Sequence, residues 1–308
     1  MNGYRNPPER ACPVTHNTCW IRGIAIVLVL GLIPAGSGVS SDAANGKKPL
    51  TIIVMDPLSA PLSCDCVKGY AQRKYEALGN YLQTQLRRPV KVCWSESLET
   101  ALNDEAEGRA DLVIGKYSVV LFDAKASKRT LEPVAQLSGK DGKTTQTGMF
   151  VVRSEDPAIT TADLAGYRIF FGPEDCDEKF AAPRNHLKKL GLTLPEKNEE
   201  FPACSKAAAA LMKLPAGSKA AAVISSYAEK LLEGCGAVKK GDLRIIGQTE
   251  ELPFITAFVD SRLSASEKTA ITAALLETGT VAELLTALET DSGFVEFEPP
   301  GTPVAASK

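Results

Sequence analysis

Apolar and polar positions along this chain change their spacing at regular intervals. Thr51–Met55 is a short, almost wholly apolar run, the pattern of a strand buried on both faces. From Lys68 to Leu86 the residues Tyr70, Leu78, Leu82 and Leu86 recur at helical spacing and predict a helix. A loop rich in Pro and Cys, Asp56–Val67, separates the two. The alternation continues with strands at Val90–Cys93, Leu112–Gly115 and Leu131–Leu137 and helices at Leu98–Glu107 and Tyr117–Ala126. A second series opens with the run Met149–Val152. Its strands are Arg168–Phe171, Asn198–Phe201, Ala220–Ile224 and Arg244–Gln248, and its helices Lys179–Leu190, Ser205–Leu214 and Ser226–Gly234. A strand at Phe254–Val259 and helices at Ser264–Glu277 and Val281–Leu288 complete the pattern. Strands alternating with helices predict an α/β fold of mainly parallel sheets flanked by helices.

The N-terminus breaks this pattern. Arg5, Arg10 and Arg22 precede an apolar run, Ile24–Ile33, and small residues follow from Pro34 to Ala44. A basic region, a short apolar core and a small-residue tail is the layout of a secretory signal, so residues 1–44 are expected to direct export to the periplasm. An uncleaved membrane anchor is the alternative. Export changes the meaning of the cysteines. Six lie beyond the leader (Cys64, Cys66, Cys93, Cys176, Cys204 and Cys235), and an even count in an oxidising compartment favours disulfides.

The remaining composition mostly excludes. A chain of 308 residues with 44% apolar and 23% charged residues has the makeup of a globular protein with one large or two modest cores. A net charge of −2 gives no basic field to collect nucleic-acid phosphates. Only His16 and His186 are present, and neither a Gly-x-Ser-x-Gly elbow, a Walker loop, a dinucleotide fingerprint nor a Cys-x-x-Cys-His site occurs. No cofactor and no catalytic residue is expected.

Four landmarks in order carry a family resemblance. They are Ala110–Ser118, where Asp111-Leu112-Val113-Ile114-Gly115 ends a strand; Met149–Arg153 with its Asp156-Pro157 turn; Asp163-Leu164-Ala165-Gly166 before a strand; and Ala220–Ser226. Together the chain from about residue 50 to 298 resembles the phosphate/phosphite/phosphonate family of periplasmic solute-binding proteins. The resemblance implies a two-lobe fold with a ligand cleft between the lobes. Lobe 1 would be 50–146 plus 256–298, lobe 2 would be 147–255, and 299–308 a flexible tail. It implies capture of a small phosphate- or phosphonate-like solute by hinge closure, delivery to an inner-membrane ABC permease, and no enzymatic step. Two other readings stand beside it: a periplasmic metal-binding or redox accessory protein on the same fold, and a biosynthetic enzyme of that fold.

Each landmark lies near a strand end that feeds a helix, the edge where open α/β sheets bind ligands. Four such edges are the loop 56–67, the segment 116–119, the loop 172–179 and the segment 225–227. Their candidate ligand contacts are Ser59, Tyr117, Ser118, Asp175, Cys176, Asp177, Ser225, Ser226 and Tyr227. The hydroxyls among them serve equally as helix N-caps. Lys116 and Arg184 are the cations expected nearest the cleft. The third edge departs from the family, whose members resemble one another in a Ser/Thr-rich turn there. Here it reads Gly172-Pro173-Glu174-Asp175-Cys176-Asp177-Glu178-Lys179, four carboxylates and one lysine, a local charge of −3. Either Asp175 caps the following helix with Asp177 and Glu178 in its first turn, or the carboxylates face the cleft and favour a cationic or metal ligand. The cysteines admit two arrangements. One is structural disulfides, Cys93 to Cys64 or Cys66 and Cys176 to Cys204; the other is a soft-metal site for copper or zinc at Cys64 and Cys66, joined by Cys176.

Overall fold

The computed structural model describes residues 48–63, 71–195 and 199–300. The expected leader, the Cys64 and Cys66 metal site and most of the tail lie outside these residues. In chain order the elements are β1 (Leu50–Met55), α1 (Tyr75–Leu86), β2 (Val90–Trp94), α2 (Leu98–Asn103), β3 (Leu112–Lys116), α3 (Tyr117–Ala126), β4 (Leu131–Leu137), β5 (Thr145–Gln146) and β6 (Gly148–Arg153). There follow β7 (Arg168–Phe171), α4 (Ala181–Lys189), β8 (Glu199–Glu200), α5 (Cys204–Met212), β9 (Ala220–Ser225), α6 (Glu229–Gly234) and β10 (Leu243–Gln248). The chain closes with β11 (Leu252–Pro253), β12 (Ile255–Asp260), α7 (Ala265–Leu276), α8 (Ala282–Ala287) and β13 (Phe294–Glu296).

Two main sheets result, ordered β13-β4-β12-β3-β1-β2 and β10-β6-β9-β7-β8. Strand β1 is apolar and buried along its whole length because β2 and β3 flank it and helices cover both faces. Apolar clusters lie on either side of each sheet, around Leu78, Leu82 and Leu275 or Leu98 and Val120 in the first, and around Ala208 and Leu211 or Leu164 and Leu187 in the second. Among the described residues no helix is long and apolar enough to cross a membrane.

The sheets are mixed, which corrects the expectation of mainly parallel ones. Strands β1, β2 and β3 run parallel, as do β7, β8 and β9, whereas β12 runs against both β3 and β4, and β6 against both β9 and β10. The chain's passage between the sheets is the cause. Strand β4 leaves the first sheet and β12 re-enters it, so the two point in opposite directions; β6 and β10 do the same in the second. The two passages themselves pair side by side through β5 and β11, with Gln146 opposite Leu252. Helix α1 begins at Tyr75 rather than Lys68. The Arg73 backbone is taken by an extended bridge to the 56–63 loop, with Arg73 N–H on Leu58 O at 2.8 Å, and its guanidinium pairs with buried Asp56 at 2.9 Å. Tyr75 donates to the same carboxylate at 2.6 Å.

Candidate functional site

The carboxyl ends of β1 and β3 in one sheet and of β7 and β9 in the other converge on a cavity of about 370 Å³. Met55 and Pro57 follow β1, Lys116 and Val119 mark the turn from β3 into α3, and Pro173, Asp175, Cys176 and Lys179 follow β7. Tyr227, Leu231 and Leu232 follow β9, and the start of α5 (Pro202–Ser205) completes the wall. Most of this lining is apolar. Tyr227 is fixed by stacking on Phe254, with ring centroids 4.9 Å apart.

A buried ion pair crosses from one sheet to the other at the cavity edge. Lys116, the last residue of β3, reaches Glu178 in the turn after β7, and their side chains are 6% and 0% exposed. Ser225, the last residue of β9, donates to the same Glu178 oxygen at 2.6 Å, and the Lys116 amine also lies 3.4 Å from Cys176 Sγ. Burial alone would depress the Lys116 amine, but the Glu178 carboxylate, with Cys176 and Tyr227, carries it well above the usual lysine value. Burial likewise opposes ionisation of Glu178. Lys116 and Lys179, with hydrogen bonds from Lys116 and Ser225, hold its carboxyl below the ordinary range. Both partners are therefore charged at neutral pH. The second carboxylate oxygen, Oε2, is buried without a partner among the described residues. A further link joins the same two segments, with the Asp177 N–H donating to Ser118 Oγ at 3.2 Å.

Lys179 supplies a second cation of different character. It is 4% exposed, yet its amine has no ion-pair or hydrogen-bond partner among the described residues, and it lines the cavity. Its stem lies across the backbone of Gly172, where an added Cβ would sit 2.5 Å from Lys179 Cβ and 2.8 Å from Cε. Glycine at 172 is what lets the chain of Lys179 pass. The backbone N–H groups of Cys204 and Ser205, in the first turn of the nine-residue helix α5, bond to no other described group. They add the partial positive charge of a helix N-terminus to the same cavity. On the acidic side, Asp175 Oδ1 is buried with no hydrogen-bond partner among the described residues, and Glu96 is exposed at the rim. A cation and amides that bond to no other described group on one part of the wall, and the carboxylate residues Asp175 and Glu96 on another, suit a small solute that bears both an acidic group and hydrogen-bond donors. Among the described residues no three His, Cys, Asp or Glu side chains gather as a metal site.

The family model for the periplasmic substrate-binding protein of phosphonate ABC transporters matches residues 69–300. The chain belongs to that family. No curated protein matches the sequence. Among solved structures the chain is similar to XAC2383 from Xanthomonas citri bound to ATP, at 15% identity over 82% of this chain and 92% of that one, with a TM-score of 0.61. It is similar also to PhnD1 from Prochlorococcus marinus in complex with methylphosphonate, at 15% identity, 82% and 93% coverage and a TM-score of 0.60. A binding protein component of an ABC phosphonate transporter from Pseudomonas aeruginosa gives 14% identity, 82% coverage of each chain and a TM-score of 0.60. At these identities the likeness carries the two-lobe fold, and the family match carries the role of solute-binding component of an ABC importer.

Of the family member's expected contacts, Asp175, Cys176 and Tyr227 line the cavity. Ser225 stands behind them and holds Glu178; Ser118 and Asp177 bond to each other across the sheets. Burial, with Glu178 nearby, raises the Asp177 carboxyl. Ser59, Tyr117 and Ser226 lie elsewhere. Ser59 is wholly buried against the bridge to Arg73, and Tyr117 packs between Phe258 and Phe297, at 5.8 and 5.7 Å. Ser226 Oγ accepts from Thr147 N–H on the passage between sheets. The disulfides expected at Cys93 and between Cys176 and Cys204 are not formed: all three are free, buried thiols. Cys204 Sγ takes the Ser225 N–H at 3.4 Å while Cys176 faces Lys116, so Ser225, Glu178 and Lys116 link the two sulfurs that a bond would have joined. Cys235 is disulfide-bonded. Asp175 does not cap α4 either, since the helix starts at Ala181 and the acidic residues wind a separate turn closed by Phe180 N–H on Cys176 O at 2.9 Å.

Two cavity elements escaped the sequence reading. Arg184, expected near the cleft, lies over the rings of Phe171 and Phe180, and Lys179 takes its place on the wall. The start of α5 was hidden by the alanine run Ala207–Ala210, which reads as helix former and no more. The available signal was Lys179 itself, a lone cation in a turn of four carboxylates.

Proposed function

We propose that the cavity between the two sheets captures a small periplasmic solute carrying one acidic group and an adjacent donor such as an ammonium. The lobes then close by bending at the paired passages β5 and β11, and a cognate inner-membrane ABC permease receives the loaded protein. The observation that carries this reading is Lys179, a buried cation with no hydrogen-bond or ion-pair partner among the described residues, which faces a cavity beside two helix amides that bond to no other described group. Burying an ammonium that no acceptor hydrogen-bonds is costly, so an anion arriving there gains a charge-assisted bond and relieves that cost. Asp175, a carboxylate residue lining the same cavity, selects for a donor on the same solute. The net acidity of the turn disfavours a bare dianion.

Calorimetric titration of wild-type and Lys179→Met protein with phosphate, methylphosphonate and aminomethylphosphonate tests the reading. Aminomethylphosphonate is expected to bind tightest, and the variant to lose about tenfold to a hundredfold in affinity, the worth of one hydrogen bond to a charged group. Equal binding of all three compounds by both proteins would overturn it.

A further inference from the structure

We infer that Glu178 is a built-in anion: its carboxylate takes the cation and the hydroxyl that an acidic solute would otherwise take at the junction of the two sheets. The inference rests on reading this cleft as the solute site. In an open α/β sheet, a lysine and a serine that each end a strand at the carboxyl edge are the groups positioned to hold a ligand's oxyanion. Here Lys116 ends β3 and Ser225 ends β9, one from each sheet, and both point to a single oxygen of Glu178. The arrangement is buried, with Glu178 and Ser225 0% exposed and Lys116 5% exposed. The backbone is shaped to it as well. A Cβ on Gly148 would lie 1.9 Å from the Glu178 carbonyl oxygen, so the turn carrying Glu178 seats directly on the first residue of β6.

Two consequences follow. The Lys116 cation is already neutralised from within, so the charge that a solute meets is set by Lys179 and Asp175 rather than by Lys116. Glu178 thereby becomes a specificity-determining residue, excluding a second acidic group from the junction. The same carboxylate also bridges the sheets, together with the Asp177-to-Ser118 bond, and so performs between the lobes the bridging that a bound anion performs.

The test is to vacate the position and ask whether a free anion refills it. In Glu178→Gly, with Lys116 and Ser225 retained, melting temperature is measured against formate, acetate, phosphite and methylphosphonate. Glu178→Gly is expected to melt lower than wild type and to recover with increasing anion, with an apparent affinity at least about tenfold above any wild-type response. The double variant Lys116→Met/Glu178→Gly should not recover. An identical anion response in wild type and Glu178→Gly, or full recovery in the double variant, would overturn the inference. If Glu178→Gly does not fold, Glu178→Ala serves: with the carboxylate removed and space left beside Lys116, it should bind phosphite more tightly than wild type, and an unchanged affinity refutes the idea. A Lys179→Met control separates the two claims, since it weakens solute binding and leaves the rescue by small anions in place.

Discussion

Replacing Lys116 by Met leaves the Glu178 carboxylate wholly buried, with Ser225 as its one remaining side-chain donor among the described residues. Removing one partner of a buried pair costs about 3–5 kcal/mol, because the other charge is stranded. Protonation of Glu178 offers an escape and sets a ceiling. Neutralising a carboxyl of ordinary pKa near 4.3 at pH 7 costs about 2.7 units at 1.36 kcal/mol each, or about 3.7 kcal/mol. The expected loss at pH 7 is therefore about 3–4 kcal/mol, or a fall of about 6–16 °C in melting temperature for a chain of this size. It should shrink by about 1.4 kcal/mol for each pH unit toward 5, as protonation becomes cheaper. In the wild type the folded Glu178 carboxyl is held low, so its contribution is present above the unfolded pKa and disappears as pH falls through the folded one. The raised Lys116 amine behaves oppositely, contributing fully below its unfolded pKa and losing effect as pH rises through the folded value. Urea unfolding of wild type, Lys116→Met and Lys116→Met/Glu178→Gln at pH 7 and pH 5 measures these quantities. A loss under about 1 kcal/mol at pH 7, or equal losses at both pH values, would refute a dehydrated pair.

Two further outcomes are expected. Gly148→Ala should destabilise by about 3 kcal/mol or lower the yield of folded protein, because its Cβ would meet the Glu178 carbonyl oxygen at 1.9 Å; unchanged urea unfolding would contradict that packing. Burial pushes the Cys176 thiol up to about 11, with Lys116 pulling it down and Glu178 adding to the rise. Peptide-mapped alkylation of Cys176 should accordingly accelerate through about pH 11 rather than pH 9, and a midpoint at or below 9 would show that the thiol is solvated.

The fold was largely legible because its elements are strongly periodic. Tyr117–Ala126, Leu131–Leu137 and Arg168–Phe171 fall on the predicted residues, since each is bounded by a sharp change of apolar spacing. What escaped depends on distant partners. The two-residue strands β5 and β11 exist because two passages meet, and neither has a local pattern of its own. The antiparallel returns at β12 and β6 follow from the direction of the chain between sheets, which apolar spacing does not record. Described residues from all four predicted strand edges meet at one cavity, but the direction of their side chains was not legible. Glu178 turns inward because Lys116, sixty-two residues earlier, waits there. Arg184 turns to aromatic rings supplied by β7 and by Phe180, the residue before its own helix. The thiols of Cys176 and Cys204 stay apart because a carboxylate and a hydroxyl occupy the space where a disulfide was expected.

A crystal structure of the wild-type protein with aminomethylphosphonate tests the central claim most directly. The phosphonate oxygens should lie on the Lys179 amine and the amides of Cys204 and Ser205, the ammonium should face Asp175, and the Lys116–Glu178 pair should remain intact. A phosphonate bound to Lys116 and Ser225, with Glu178 displaced into solvent, would contradict the account.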